Sequence, residues 1–60
     1  MIMNQQRAQV LDTITRNDGA IDIVQDIDGR IFHRARVGDR CRYAEDRWQA
    51  EIYLDQLLAE

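Results

Sequence analysis

Proline and lysine are absent from this 60-residue chain, and cysteine, histidine and tryptophan each occur once. A disulfide within the chain is excluded because Cys41 has no second cysteine to pair with. A structural zinc site normally takes four ligands, and Cys41 and His33 are the only strong nitrogen or sulfur ligands here. A core of this size rarely supplies more than roughly 3–5 kcal/mol of stability. Self-association is therefore the additional support that we expect.

Long hydrophobic runs are missing as well. The N-terminal sequence MIMNQQRAQV lacks the charged segment and apolar core of a secretion signal. No run approaches the ~20 apolar residues that are needed to cross a bilayer. We therefore expect a cytoplasmic protein that does not enter a membrane.

No sequence pattern for catalysis, metal binding or cofactor binding is found. His33 and Cys41 could form a base and a nucleophile, but the strand pattern below predicts that both are buried, without a group to orient them. Asp26 and Asp28-Gly29 are similar to part of a calcium loop, yet Val24 and Ala35 would then occupy its first and last ligand positions. We therefore expect no enzyme activity, no metal site and no cofactor.

Charge is distributed in blocks along the chain, although its sum is only −3. Residues 17–28 carry four Asp, residues 30–42 carry five Arg and one Asp, and residues 43–60 carry five acids and one Arg. All eight basic residues are arginine. Codon usage alone would account for this choice, and so would a need for planar, bidentate recognition of carboxylates, phosphates or base edges.

The N-terminal segment is predicted to be an amphipathic helix over residues 2–16. Met3, Val10, Leu11 and Ile14 recur at helical spacing among polar residues. The sequence Asn17-Asp18-Gly19 would end this helix, because glycine readily adopts the left-handed conformation found at helix ends.

Residues 21–37 predict a β-hairpin around Asp28-Gly29. A three-residue loop of Ile27, Asp28 and Gly29, with Gly29 in a left-handed G1 bulge, pairs Asp22 with Arg34 and separates apolar from charged side chains. The apolar face then carries Ile21, Ile23, Ile31, His33, Ala35 and Val37. The other face gathers Asp22, Asp26, Arg30, Arg34 and Arg36 around Val24 and Phe32.

A short third strand is predicted at 41–44, after a loop of Gly38 to Arg40 that would put Cys41 and Tyr43 on the apolar face and Arg42 beside Arg36. From Glu45 onward the pattern is helical. The predicted fold is α+β, a single domain over residues 1–60: helix, three-stranded antiparallel β-meander, and a C-terminal helix packed on one sheet face.

The C-terminal helix is apolar on two sides. Ala50, Tyr53, Leu54, Leu57 and Leu58 form the main stripe, which should pack on the sheet, while Ala44, Trp48, Ile52 and Ala59 form a second one. The first helix could cover the second stripe. Alternatively, Trp48 and Ile52 lie in a homodimer or partner interface, where tryptophan is enriched among the residues that dominate binding.

The exposed sheet face is the predicted partner-binding surface, formed by Arg30, Phe32, Arg34, Arg36 and Arg42. A solvated face with internal ion pairs is one interpretation, and nucleic-acid binding through arginine and a stacking aromatic is another. The net negative charge disfavours nucleic acid. We therefore place first a non-enzymatic protein-binding module, with the character of the small accessory proteins of phages and mobile elements that inhibit or regulate host complexes such as defence systems.

Overall fold

The computed structural model describes residues 8–60, which form one four-stranded antiparallel sheet and one helix. The strands are β1 (Gln9–Arg16), β2 (Gly19–Gln25), β3 (Ile31–Val37) and β4 (Arg40–Ala44), and helix α1 spans Arg47–Ala59. Each strand pairs with the next in the chain, so the sheet order is β1-β2-β3-β4. The α+β class and the C-terminal helix are confirmed, whereas the predicted number of strands is one too few.

The predicted N-terminal helix is wrong over residues 9–16, which form β1, and residues 1–7 lie outside the described part of the chain. Val10, Leu11 and Ile14 lie at helical spacing, but the run Thr13-Ile14-Thr15 consists of β-branched residues, which favour a strand. Arg16 pairs with Gly19, so the β1–β2 turn is two residues long. Asn17 takes the left-handed conformation there, with φ 51°.

The β2–β3 hairpin has the predicted register throughout, including Asp22 opposite Arg34 and Val24 opposite Phe32. The Asp26 amide donates to the Arg30 carbonyl at 2.9 Å, which closes the three-residue loop. Gly29 has φ 86°, as the bulge requires. Alternation of apolar and charged side chains was therefore sufficient to select this register.

The β3–β4 hairpin differs from the prediction by one residue. Val37 pairs with Arg40, so the turn contains only Gly38 and Asp39. Gly38 has φ 60°, the conformation that favours glycine at the first central position of a tight hairpin turn. Because side chains alternate along a strand, this shift moves every β4 side chain to the opposite face from the one predicted.

Helix α1 packs on β2, β3 and β4. Asp46 caps its N-terminus by accepting a hydrogen bond from the Gln49 amide at 2.8 Å. The core beneath it contains Ile21, Ala35, Ala44, Ala50, Leu54 and Leu57. The helix side of the sheet is thus the face that carries Ile21 and Ala35, as the predicted apolar face does.

Gly19 lets the helix approach this closely. A Cβ atom at Gly19 would lie 2.7 Å from Leu54 Cδ1 and 2.9 Å from the Arg36 carbonyl oxygen. Both distances are too short for real contacts, and the second involves backbone that cannot turn away. Glycine is therefore needed here for packing, not for ending a helix as the sequence pattern indicated.

Candidate functional site on the outer face of the sheet

The outer face of the sheet is the face opposite α1. Residues that pair across the strands share a face, and the pairing of all four strands defines the members of this one. They are Val10, Thr13, Thr15, Ala20, Asp22, Val24, Phe32, Arg34, Arg36, Cys41 and Tyr43. No described helix packs on this face, so its chemistry is set by the strands alone.

Asp22 lies at the centre of the outer face and is only 1% exposed. Its Oδ1 accepts hydrogen bonds from Thr13 Oγ1 at 2.8 Å and from Arg36 Nη2 at 3.1 Å. Its Oδ2 accepts from Arg34 Nε and Arg36 Nε, both at 2.9 Å, and lies 2.8 Å from Arg34 Nη2. Both guanidinium groups therefore bind one carboxylate side by side and cover it from solvent.

These contacts hold Asp22 in its ionised form. The hydrogen bonds from Arg36 lower the pKa of Asp22 most strongly, and those from Thr13 and Arg34 add to this effect. Burial acts in the opposite direction but is outweighed, so the pKa of Asp22 lies well below its usual range. Reciprocally, the bonds to Asp22 raise the pKa values of Arg34 and Arg36. The cluster Thr13, Asp22, Arg34 and Arg36 is thus a bridge across three strands.

The five residues predicted to bind a partner do not form one surface. Arg34 and Arg36 use their Nε and Nη2 groups on Asp22. Arg42 lies on the helix side, where it donates to Gln56 Oε1 at 2.8 Å and its guanidinium carbon is 5.8 Å from the Tyr53 ring centre. The predicted position of Arg42 beside Arg36 is therefore wrong, because the shorter β3–β4 turn reverses the faces of β4.

Arg30 is the arginine that forms no ion pair among the described residues 8–60. It lies in the loop before β3 and is exposed. Its backbone amide donates to Asp26 Oδ1 at 3.0 Å, which fixes the backbone of Arg30 in the loop. This bond does not involve the guanidinium group. Of the five predicted residues, Arg30 and Phe32 are the two that remain available at one end of the outer face.

Tyr43 completes this end of the outer face, so the prediction that it lies on the apolar face is wrong. The centre of its ring lies 5.5 Å from the centre of the Phe32 ring, and the two ring planes are inclined at 57°. Tyr43 is 57% exposed, whereas Phe32 is half-buried. An open depression of about 500 Å³ lies beside the pair, lined by Asp26, Arg30, Phe32, Tyr43, Ala44 and Glu45. We call this region the aromatic end of the outer face.

His33 and Cys41 lie on opposite faces of the sheet. His33 is half-buried on the helix side, paired with Ala44, and its buried Nδ1 has no hydrogen-bond partner among the described residues. Cys41 pairs with Arg36 and is exposed on the outer face, so the prediction that it is buried is wrong. The sheet therefore separates the two side chains.

Trp48 and Ile52 lie on the side of α1 that faces away from the sheet. Trp48 is 74% exposed and Ile52 is 38% exposed. The predicted cover by a first helix does not apply to residues 9–16, which form β1 and contact α1 through the ion pair of Arg16 with Glu51. Trp48 is thus an exposed tryptophan on the layer opposite the aromatic end.

No protein-family model, curated protein or solved structure matches this chain. Residues 8–60 contain no helix long and apolar enough to cross a bilayer. In the same stretch, no group of three or more His, Cys, Asp or Glu side chains is placed to hold a metal ion.

Proposed function

We propose that this protein is a small non-enzymatic protein-binding module and that the aromatic end of the outer face is its working surface. The observation that carries this proposal is the exposed Tyr43, whose ring packs at a tilt against Phe32 at an open depression. Arg30, whose guanidinium forms no ion pair within residues 8–60, lines the same depression. Tyrosine, phenylalanine and arginine are enriched at protein interfaces, where each offers large contact area together with a polar group.

The Asp22 cluster supports a protein partner over nucleic acid. Nucleic-acid binding needs arginines that can neutralise phosphates. Arg34 and Arg36 share the single charge of Asp22 and direct their Nε and Nη2 donors at it. Within residues 8–60, the groups of this face that remain available to a partner are Arg30, which forms no ion pair, and the rings of Phe32 and Tyr43. This combination suits the mixed apolar and polar surface of a protein partner.

A nucleic-acid-binding regulator is the second candidate, favoured by the same aromatic pair. The bases of single-stranded nucleic acids stack on exposed aromatic rings. Arg30 lines the same depression as the two rings and would pair with a phosphate of the bound strand. The net charge of −3 acts against it, because dedicated nucleic-acid binders usually carry a basic surface. This candidate and the first make opposite predictions in the experiment below.

A binding module of this size acts by occupying a surface of a larger assembly. The corresponding biological role is that of an inhibitor or regulator of a host complex, such as a defence system, of the kind encoded by phages and mobile elements. The combination of 60 residues with a surface suited to binding supports this role.

The test is a pull-down with the tagged protein from host lysate, with and without nuclease, followed by mass spectrometry. We expect a stoichiometric protein that stays bound after nuclease treatment. Recovery of nucleic acid, with all bound protein lost on digestion, would overturn the proposal and leave the second candidate in its place.

A further inference from the structure

The outer stripe of α1 consists of Trp48, Ile52, Asp55 and Ala59, which follow one another within a narrow sector at about 100° per residue. The buried residues Ala50, Leu54 and Leu57 lie on the opposite side of the helix. All four stripe residues are exposed. A tryptophan and an isoleucine four positions apart form the pattern by which a helix binds into an apolar groove.

Asp55 gives this stripe its charge. Among the described residues, Asp55 takes part in no ion pair, whereas Glu51 receives Arg16 at 2.7 Å and Arg47 at 3.4 Å. Glu60 likewise receives Arg40 and Arg42. A surface that covers Trp48 and Ile52 must therefore accommodate one uncompensated carboxylate in line with them.

A second copy of this chain meets that requirement poorly. Two outer stripes packed against each other would bring together two Asp55 carboxylates, and neither stripe carries a cation. Arg47 on the flank is the nearest helical cation, but residue 51 lies midway between 47 and 55. An antiparallel register that sets Arg47 of one copy opposite Asp55 of the other draws Arg47 away from its own Glu51. It also brings the two Glu51 residues together at the two-fold axis, each with only Arg16 left as its cation.

We infer that the outer stripe of α1 is a second docking surface, for a different protein that presents an apolar groove with a lysine or arginine at its rim. The cation would pair with Asp55 while Trp48 and Ile52 fill the groove. This surface lies on the opposite layer of the molecule from the aromatic end. The inference concerns other residues and does not depend on the proposed function.

Trp48 is the only tryptophan in the chain, so its fluorescence reports directly on this stripe. The probe is a synthetic helical hairpin peptide whose two amphipathic helices form an apolar leucine groove with lysine at its rim, and the comparison peptide replaces lysine with glutamate. We expect the lysine peptide to bind with a blue shift of the Trp48 emission, and the glutamate peptide to produce none. Asp55→Lys should weaken binding by about tenfold, because attraction at the rim becomes repulsion.

The matched control is Asp39→Lys, which changes the net charge equally at an exposed turn. It should leave the affinity within about twofold of the unsubstituted protein, since Asp39 lies outside the outer stripe and an exposed charge that does not contact the partner is screened by salt. Equal losses in the two variants, or no blue shift with the lysine peptide, would overturn the inference. So would a homodimer in sedimentation that dissociates on Trp48→Ala, because a second copy would then occupy the stripe.

Discussion

Replacing Arg34 and Arg36 together with methionine is expected to unfold most of the protein at pH 7. Methionine keeps much of the apolar stem but removes both guanidinium groups from Asp22, which is 1% exposed. Removing the partners of a buried charge costs roughly 3–5 kcal/mol, and a domain of this size rarely has more than roughly 3–5 kcal/mol in total. Circular dichroism and urea titration would measure the loss.

The control is the triple variant that adds Asp22→Asn, which removes the buried charge along with its partners. It should recover much of the lost stability, because the asparagine side chain carries no charge to desolvate. If the triple variant is no more stable than the double variant, the account of Asp22 as a paired buried charge is wrong.

The contribution of Asp22 to folding stability should depend on pH with opposite signs in the unsubstituted protein and in the double variant. In the unsubstituted protein the pKa of Asp22 is lower when folded than when unfolded, so its ionised pairing stabilises fully above the ordinary aspartate range. That stabilisation is lost progressively as the pH falls below about 4. In the double variant burial without partners should raise the folded pKa of Asp22, so acidification should stabilise it relative to the triple variant.

The second large effect is expected at Leu54. Leu54 is 1% exposed and packs in the core between α1 and the sheet. Its Cδ1 lies so close to Gly19 that a side chain at that position would overlap with it. Leu54→Ala should therefore cost about 2–5 kcal/mol in the free energy of unfolding, as is usual for a buried leucine. Urea denaturation at several protein concentrations would measure it.

Ile52→Ala on the same helix is the matched comparison, because Ile52 lies on the outer stripe. It should cost less than about 1 kcal/mol, since little apolar area is lost from the core and alanine is a better helix former. Equal costs at the two positions would mean that the outer stripe is buried in solution, contrary to the exposure of Ile52.

Local alternation predicts the β2–β3 hairpin because two independent patterns agree there. Only one register places Asp22 opposite Arg34 while keeping Ile21 and Ala35 on the apolar side, and the structure has that register. The main stripe of α1 is likewise predicted, because Ala50, Leu54 and Leu57 recur at helical spacing and are buried.

The two errors have distinct physical causes. In residues 9–16, the spacing of Val10, Leu11 and Ile14 fits a helix, but pairing with β2 in the sheet determines the outcome. At the β3–β4 turn, the apolar character of Cys41 and Tyr43 favoured a longer loop, yet Gly38 permits the two-residue turn. The Gly38-Asp39 pair is itself a signal for a two-residue hairpin turn, and this turn predicts the observed faces of β4.

The candidate site depended on that turn. Because the faces of β4 are opposite to those predicted, Tyr43 contacts Phe32 on the outer face and not the apolar face of the sheet. For the same reason Arg42 lies on the helix side, where it contacts Tyr53 and Gln56. The bidentate engagement of Arg36 by Asp22 was also beyond the sequence pattern, which indicated opposite charges across strands but not burial of the carboxylate. Side-chain packing across three strands therefore decides which arginines remain available.

The most direct test of the central claim is the affinity of the captured partner for the Tyr43→Ser variant, measured by calorimetry beside Trp48→Ser. A tyrosine that anchors an interface typically contributes at least about 2 kcal/mol, so we expect Tyr43→Ser to weaken binding by about 30-fold or more. Trp48→Ser, on the opposite layer, should leave this affinity unchanged. Full affinity of Tyr43→Ser, or an equal loss in Trp48→Ser, would contradict the assignment of the aromatic end as the working surface.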